Sequence, residues 1–294
     1  MPAYAVNRLL KRAVASLALA ASALGAQAAE PSSFSVQVTG QGRPMVLIPG
    51  LASAGAVWDG TVAHYAKSYQ CHVLQLAGFA GAPPTDGMSL QKVEQELSDY
   101  IASHKLDHPV VVGHSLGGFL ALRLAADHPE QLGKLVVVDA LPALGAVSMP
   151  DITPEQLKAG ADRLRDGMLQ SDATAREASR RRAAESMVSQ PQDVERVIGW
   201  GQKSDYPTVA NTMHELLATD LRLDIARVQA PTLVLGTWVA YKAYAPRAAI
   251  EANFQRQYAK LPGVSIQLAD NARHFIMYDD PQWLFERMDA FLTK

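Results

Sequence analysis

The chain has almost no cysteine: Cys71 stands alone among 294 residues. No disulfide can form within it, so stability has to come from a buried core. Cys71 opens the apolar run CHVLQL (71–76), which reads as packing in a strand rather than as a reactive thiol, since reactive cysteines need an exposed, electropositive setting. Charge of neither sign dominates. Twenty-seven Lys and Arg face 29 Asp and Glu, a formal net charge of −2. The basic excess that a nucleic-acid footprint requires is missing, so no nucleic-acid partner is expected. There is no HExxH pattern and no Cys/His cluster at ligand spacing, so neither a metal nor another cofactor is expected. No internal repeat and no low-complexity linker follows the first thirty residues.

The first 28 residues have the three parts of a secretory signal peptide. Arg8, Lys11 and Arg12 make a basic stretch, residues 13–25 are apolar and uncharged, and Ala26-Gln27-Ala28 is a small-x-small cleavage site. The apolar part is too short and too weakly hydrophobic for a membrane span, so no stable membrane anchor is expected after cleavage. The expected destination is periplasmic or extracellular. The remaining chain, about residues 30–294, has the length of one α/β domain with a large insertion.

Within it, FSVQV (34–38), MVLIPG (45–50), CHVLQL (71–76), VVVG (110–113), KLVVVD (134–139), TLVLG (232–236) and VSIQL (264–268) are short apolar runs. Such runs suit strands buried on both faces of a mainly parallel sheet. Helical stripes lie between them. Ser89 can cap a helix in which Leu90, Val93, Leu97, Tyr100 and Ile101 share one face. Residues 116–127 and 283–291 are two more. Alternating strand and helix means an α/β fold with helices on both faces of the sheet. From about residue 141 to 225 the strand rhythm stops. Leu157, Ala161, Leu164 and Met168 share a face, Arg176, Arg180, Arg181 and Arg182 form a basic segment, and residues 207–219 read as a further helix with Val209, Met213, Leu216 and Leu217 inward. A helical block inserted there is expected to cap the C-terminal ends of the strands, where open α/β sheets bind ligands.

The sharpest local signal is VVVGHSLGGFLALRLAADHP (110–129). An apolar β-branched run passes into an apolar helix through Gly113, His114, Ser115, Leu116 and Gly117. A nucleophile on such a tight strand-to-helix turn projects from strained backbone. The two glycines leave room for the turn, and the free N–H groups of the helix start favour developing negative charge. With Pro49-Gly50-Leu51 after an early strand and Ala272-Arg273-His274-Phe275 after the last one, the chain resembles the α/β-hydrolase superfamily, in particular its serine-nucleophile esterase and lipase-like members. The resemblance spans essentially the whole mature chain.

That resemblance implies site residues. Ser115 is the nucleophile and His274 its general base. Leu116 and Leu51 supply the backbone N–H donors of an oxyanion hole, with Ala52 as the alternative to Leu51 if the loop is shifted by one. Many relatives have His-Gly where this chain has Pro49-Gly50, which leaves the loop's shape open. The third member is the open question. Most relatives carry an acid shortly after the penultimate strand, but residues 236–249 (GTWVAYKAYAPRAA) contain none. Some carry it one strand earlier, and here that is Asp139. Asp220 and Asp224 read better as turn residues, and Asp270, Asp279 and Asp280 flank His274 without the right approach to the ring. A triad with no direct acid is the remaining possibility.

A serine nucleophile excludes the alkyl-enzyme chemistry of the family's aspartate-bearing dehalogenases and epoxide hydrolases, and points to acyl transfer. The expected partner is a small-molecule ester, small to medium and apolar. An amide, lactone or C–C bond hydrolase would use the same residues, and a non-catalytic binding protein on the same fold is the third reading. Met168, Trp200, Tyr206 and Met213 are candidates for an acyl pocket, and Trp238, Tyr241 and Tyr244 for an aromatic wall, each with packing as the alternative.

Overall fold

The structure, a computed structural model, describes residues 32–293. The proposed signal segment lies outside the described residues. Seven strands form one sheet: β1 (Phe34–Gly40), β2 (Arg43–Ile48), β3 (Tyr69–Leu76), β4 (Val110–His114), β5 (Lys134–Val138), β6 (Thr232–Thr237) and β7 (Ser265–Ala269). Their spatial order is β1-β3-β2-β4-β5-β6-β7. Only β1 runs antiparallel to its neighbour; the other pairs are parallel. The fold is the α/β-hydrolase fold. β4 sits mid-sheet and is buried along its whole length. The edge strand β1 buries only Phe34 fully, as an edge position allows.

The apolar strands serve two cores at once. Val111, Leu135 and Val137 face one side of the sheet, among Leu116, Phe119, Leu97 and Phe254. Val110, Val112, Val136 and Val138 face the other, among Trp58, Tyr65, Leu284 and Met288. This is the period-two alternation of a strand that finds a helix layer on each face. The first layer is α2 (Leu90–Ser103), α3 (Leu116–Asp127) and α8 (Arg247–Gln257); the second holds α1 (Asp59–Tyr65), the short α9 (Ile276–Asp279) and α10 (Pro281–Leu292). Ser89 caps α2, its hydroxyl accepting from Lys92 N–H at 3.1 Å. Cys71 is fully buried on β3 and burial pushes its thiol up to about 11.

Between β5 and β6 the chain forms α4 (Pro154–Gln170), α5 (Ala173–Met187), α6 (Pro191–Lys203) and α7 (Tyr206–Ala218). These helices lie against loops that leave the C-terminal ends of the strands. Asp205 N–H donates to Gly78 O, just after β3, at 2.7 Å, and Phe275 N–H, after β7, donates to Met187 O at 3.1 Å. α4 is stopped at its start by a capping box in which Thr153 and Gln156 satisfy each other's backbone N–H groups. Its inward face is narrower than the sequence pattern suggests. Leu157 and Ala161 are buried, but Leu164 is 45% exposed, because α4 packs chiefly on α7 and only its first half is covered.

Candidate active site

The turn after β4 is compact enough to leave Ser115 no ordinary conformation. A side chain at Gly113 would run into Gly117 O, and one at Gly117 into the carbonyls of Ile48 and Pro49. Ser115 takes φ 54°, ψ −120°, a region costly for a non-glycine residue and found where a site over-determines it. Its N–H donates to Val138 O at 2.9 Å, and its C=O accepts from Phe119 N–H at 3.0 Å. The side chain makes no capping hydrogen bond to α3. A serine kept for helix capping would bond the N–H two or three residues on; this one does not, and its hydroxyl is left for other work.

The loop after β2 runs directly beside it. A Cβ on Gly50 would lie 3.2 Å from Ser115 Cβ and 3.0 Å from His114 Nδ1. The loop turns through Ala52 at φ 55°, closed by Ser53 N–H donating to Gly50 O at 3.2 Å. The N–H of Leu116, at the first position of α3, has no intrahelical partner, and among the described residues no backbone carbonyl takes the N–H of Leu51.

His274 lies in the loop between β7 and α9. Its Nδ1 is 2.6 Å from Asp139 Oδ2, a pair separated by 135 residues of sequence. The Asp139 side chain is 4% exposed and that of His274 16%. Since the carboxylate only accepts, Nδ1 carries the proton and Nε2 keeps its lone pair. Asp139 holds φ 45°, just past β5, and its other oxygen accepts from Thr237 N–H at 2.9 Å. The last residue of β6, just before a segment empty of acids, therefore contributes a backbone donor that orients Asp139 at the end of its neighbour strand. Thr237 Oγ1 in turn donates to Ala272 O, two residues before His274.

The remaining acids are engaged elsewhere. Asp220 binds Arg222 and Asp224 binds Arg227. Asp270 accepts from Trp238 Nε1 and Arg247 Nε. Asp280 caps α10 through Trp283 N–H, and Asp279 bonds Ser189 and Arg273. The other histidines are likewise held: His64 by Asp289, His72 by Tyr100, His104 by Tyr100 O, His108 by Asp107, His128 by Glu94 and His214 by Asp162.

Sequence reasoning missed the role of His114. It is fully buried, and its Nε2–H donates to the carbonyl of His274 at 3.1 Å. Burial and the neighbouring His274 hold its pKa well below the usual histidine value, so it stays neutral. The residue before Ser115 thereby holds the backbone of His274. Nothing in the local pattern signals this, because the partner lies 160 residues away.

The aromatic residues after β6 have different surroundings. Tyr244 is 89% exposed, while Trp238 packs partly on the core and bonds Asp270. Tyr241, 44% exposed, has its phenol held un-ionised by burial and by the charge of Asp139. Of the pocket candidates, Trp200 packs toward Tyr278 with ring centroids 6.3 Å apart, and Tyr206 lies under Arg176 at 4.2 Å. Among the described residues no group of three His, Cys, Asp or Glu is arranged to hold a metal ion, and no helix is long and apolar enough to cross a membrane.

A family model described as "Alpha/beta hydrolase family" matches residues 45–287, from β2 into the last helix. The chain belongs to the α/β-hydrolase family. Among curated relatives of this hydrolase, the pimeloyl-[acyl-carrier protein] methyl ester esterase of Vibrio cholerae is 34% identical over 129 residues, 44% of this chain and 49% of the relative. The chain thus spans about half the length of that relative. The esterase of the same name from Nitrosomonas europaea is 28% identical over 211 residues, 69% of this chain and 80% of the relative. Among solved structures, a hydrolase from Pseudomonas aeruginosa superposes with a TM-score of 0.73 at 17% identity, covering 89% of this chain and 94% of that one. The enol-lactonase from Burkholderia xenovorans superposes with 0.71 at 16% identity, covering 89% and 96%. At these identities the structural likeness is one of fold.

Proposed function

We propose that this hydrolase is a serine esterase that cleaves small to medium apolar carboxylic esters through an acyl-enzyme. The observation that carries the reading is the 2.6 Å pair between Asp139 and His274, with the His274 carbonyl held by His114, the residue before a strained serine whose side chain caps nothing. Asp139 fixes the tautomer that leaves Nε2 as base and stabilises the imidazolium that forms. Ser115 Oγ attacks the ester carbonyl while His274 Nε2 takes its proton. The oxyanion is received by the N–H groups of Leu51 and Leu116. His274 then returns the proton to the departing alcohol, and water, activated by the same imidazole, releases the acid and restores Ser115.

The sequence relatives, named as methyl ester esterases, support a small alcohol portion. The basic, apolar and small-residue pattern of the first 28 residues supports a mature protein that works in the periplasm or outside the cell. The test is hydrolysis of p-nitrophenyl esters from acetate to long-chain acyl, and of methyl esters of the same acids, by mature protein beside the Ser115→Ala variant. Serine-dependent turnover with an optimum at short to medium acyl length is expected. Turnover that survives Ser115→Ala, or none on any ester, would sink the reading.

A further inference from the structure

The loop that carries His274 is stitched to the end of a helix from the insertion. Ser189, two residues beyond α5, donates to Asp279 twice, from its N–H to Oδ1 and from its hydroxyl to Oδ2, each at 2.9 Å. The same Oδ2 accepts Arg273 N–H at 2.8 Å. The Arg273 side chain returns to the helix end, where Nη1 donates to the carbonyls of Glu185 and Val188. On the far side of His274, Phe275 N–H donates to Met187 O at 3.1 Å. Both residues flanking His274 are thus bound to the stretch 185–188, and the carboxylate of Asp279 joins that stretch, through Ser189, to the residue preceding the histidine.

We propose that Asp279 is a positioning residue: its carboxylate clasps the end of α5 to the His274 loop, so that the helical insertion sets the angle at which the imidazole meets Asp139 and Ser115. The inference rests on the serine-esterase reading of the site. It follows from how few other bonds hold the loop, where Thr237 Oγ1 holds Ala272 O two residues earlier. His274 makes one ring bond to Asp139 and one carbonyl bond to His114; these fix two points, and a peptide needs its neighbours held to fix the third. A carboxylate is also the one small side chain that can take all three donors at once, because it only accepts. Asparagine in its place would keep one oxygen and turn an NH₂ toward a donor. The Ser189 hydroxyl can rotate to accept from it, but Arg273 N–H cannot.

The test compares Asp279→Asn, Asp279→Ala and Ser189→Ala as mature proteins. Two readouts are used: steady-state kinetics on a short-chain p-nitrophenyl ester, and the low-field NMR resonance of the His274 Nδ1 proton bonded to Asp139. The expected result for Asp279→Asn and Asp279→Ala is a kcat lower by roughly 10- to 100-fold, with KM within about twofold, and a broadened or lost resonance. Ser189→Ala, which keeps the Ser189 N–H bond, should lose less than either. Wild-type kcat and an unchanged resonance in Asp279→Asn would overturn the proposal, as would a loss confined to KM. If Asp279→Ala does not fold, Asp279→Asn and Ser189→Ala decide. The resonance needs no turnover, so it tests the clasp even where every ester fails; failure of the esterase reading would show instead as no turnover on any ester or as activity insensitive to Ser115→Ala.

Discussion

Two helices near the site are built on opposite terms. α3, which follows Ser115, buries ten of its twelve residues. α5, whose end is bound to the His274 loop, buries one of fifteen, Ala184. The first is fixed by dispersion and area removed from water, and its N-terminus can hold a strained serine because every neighbour is close-packed. The second is held largely by polar contacts: Asp172 caps it through Ala175 N–H at 2.8 Å, Arg181 pairs with Glu195 of α6 at 2.8 Å, and beyond its C-terminus Ser189 reaches Asp279. Ser115 therefore stands at the head of a closely packed helix, and His274 on a loop tied to the end of a largely exposed one.

The largest effects should come from breaking the rigid side. Ser115→Ala is expected to lower turnover by at least about 10³-fold while leaving the thermal midpoint unchanged, since the hydroxyl caps nothing; an ester assay beside a melting curve checks both halves. Asp139→Asn should lower kcat by roughly 10²- to 10⁴-fold with the fold intact, because the amide keeps an oxygen for Thr237 N–H but no longer selects the histidine tautomer. Near-wild-type turnover there would remove Asp139 from the mechanism.

One substitution made on both sides should change sign. Gly117→Ala drives a methyl group into the carbonyls of Ile48 and Pro49 and is expected to destabilise by about 1–3 kcal/mol or more. Gly199→Ala, inside α6 with open space where the methyl would go, should stabilise by roughly 0.5–1 kcal/mol. Urea unfolding of the pair measures this, and equal signs would erase the contrast. The smallest effect is chemical. Cys71, with its thiol pushed up to about 11 by burial, holds little thiolate at pH 8 and should not react with a disulfide reagent in the native state. A cysteine placed at the exposed Ser179 of α5 in a Cys71→Ser background should react at once; rapid labelling of native Cys71 would show the sheet core to open as readily as the insertion.

Strand positions were legible because parallel strands buried on both faces demand unbroken apolar runs, and VVVG, KLVVV and TLVLG have no other use. The elbow was legible because the turn needs glycines at fixed offsets. Helix faces in the insertion were less so: Leu164 matched the spacing of Leu157 and Ala161, yet periodicity does not say how far along a helix its neighbour extends. The acid was the least legible part. Asp139, Asp220, Asp224, Asp270, Asp279 and Asp280 were all near a plausible place in sequence, and only the approach of two loops 135 residues apart separates them. Asp279 and Asp280 read together as a helix start; Asp280 does cap α10, but Asp279 faces the insertion.

By itself, then, the sequence determined what is local: the order of strands and helices, the serine at a glycine-fenced turn, the histidine after the last strand, and the absence of an acid after β6. These follow from side-chain periodicity and backbone sterics, which act over a few residues. Tertiary structure alone decided which carboxylate meets the imidazole, that Thr237 N–H orients it, that His114 turns inward to hold the His274 carbonyl, and that α5 is tied to the same loop. Each is a hydrogen bond between groups far apart in sequence, up to 160 residues, and its geometry exists only once the parallel sheet has brought the ends of its strands to one edge.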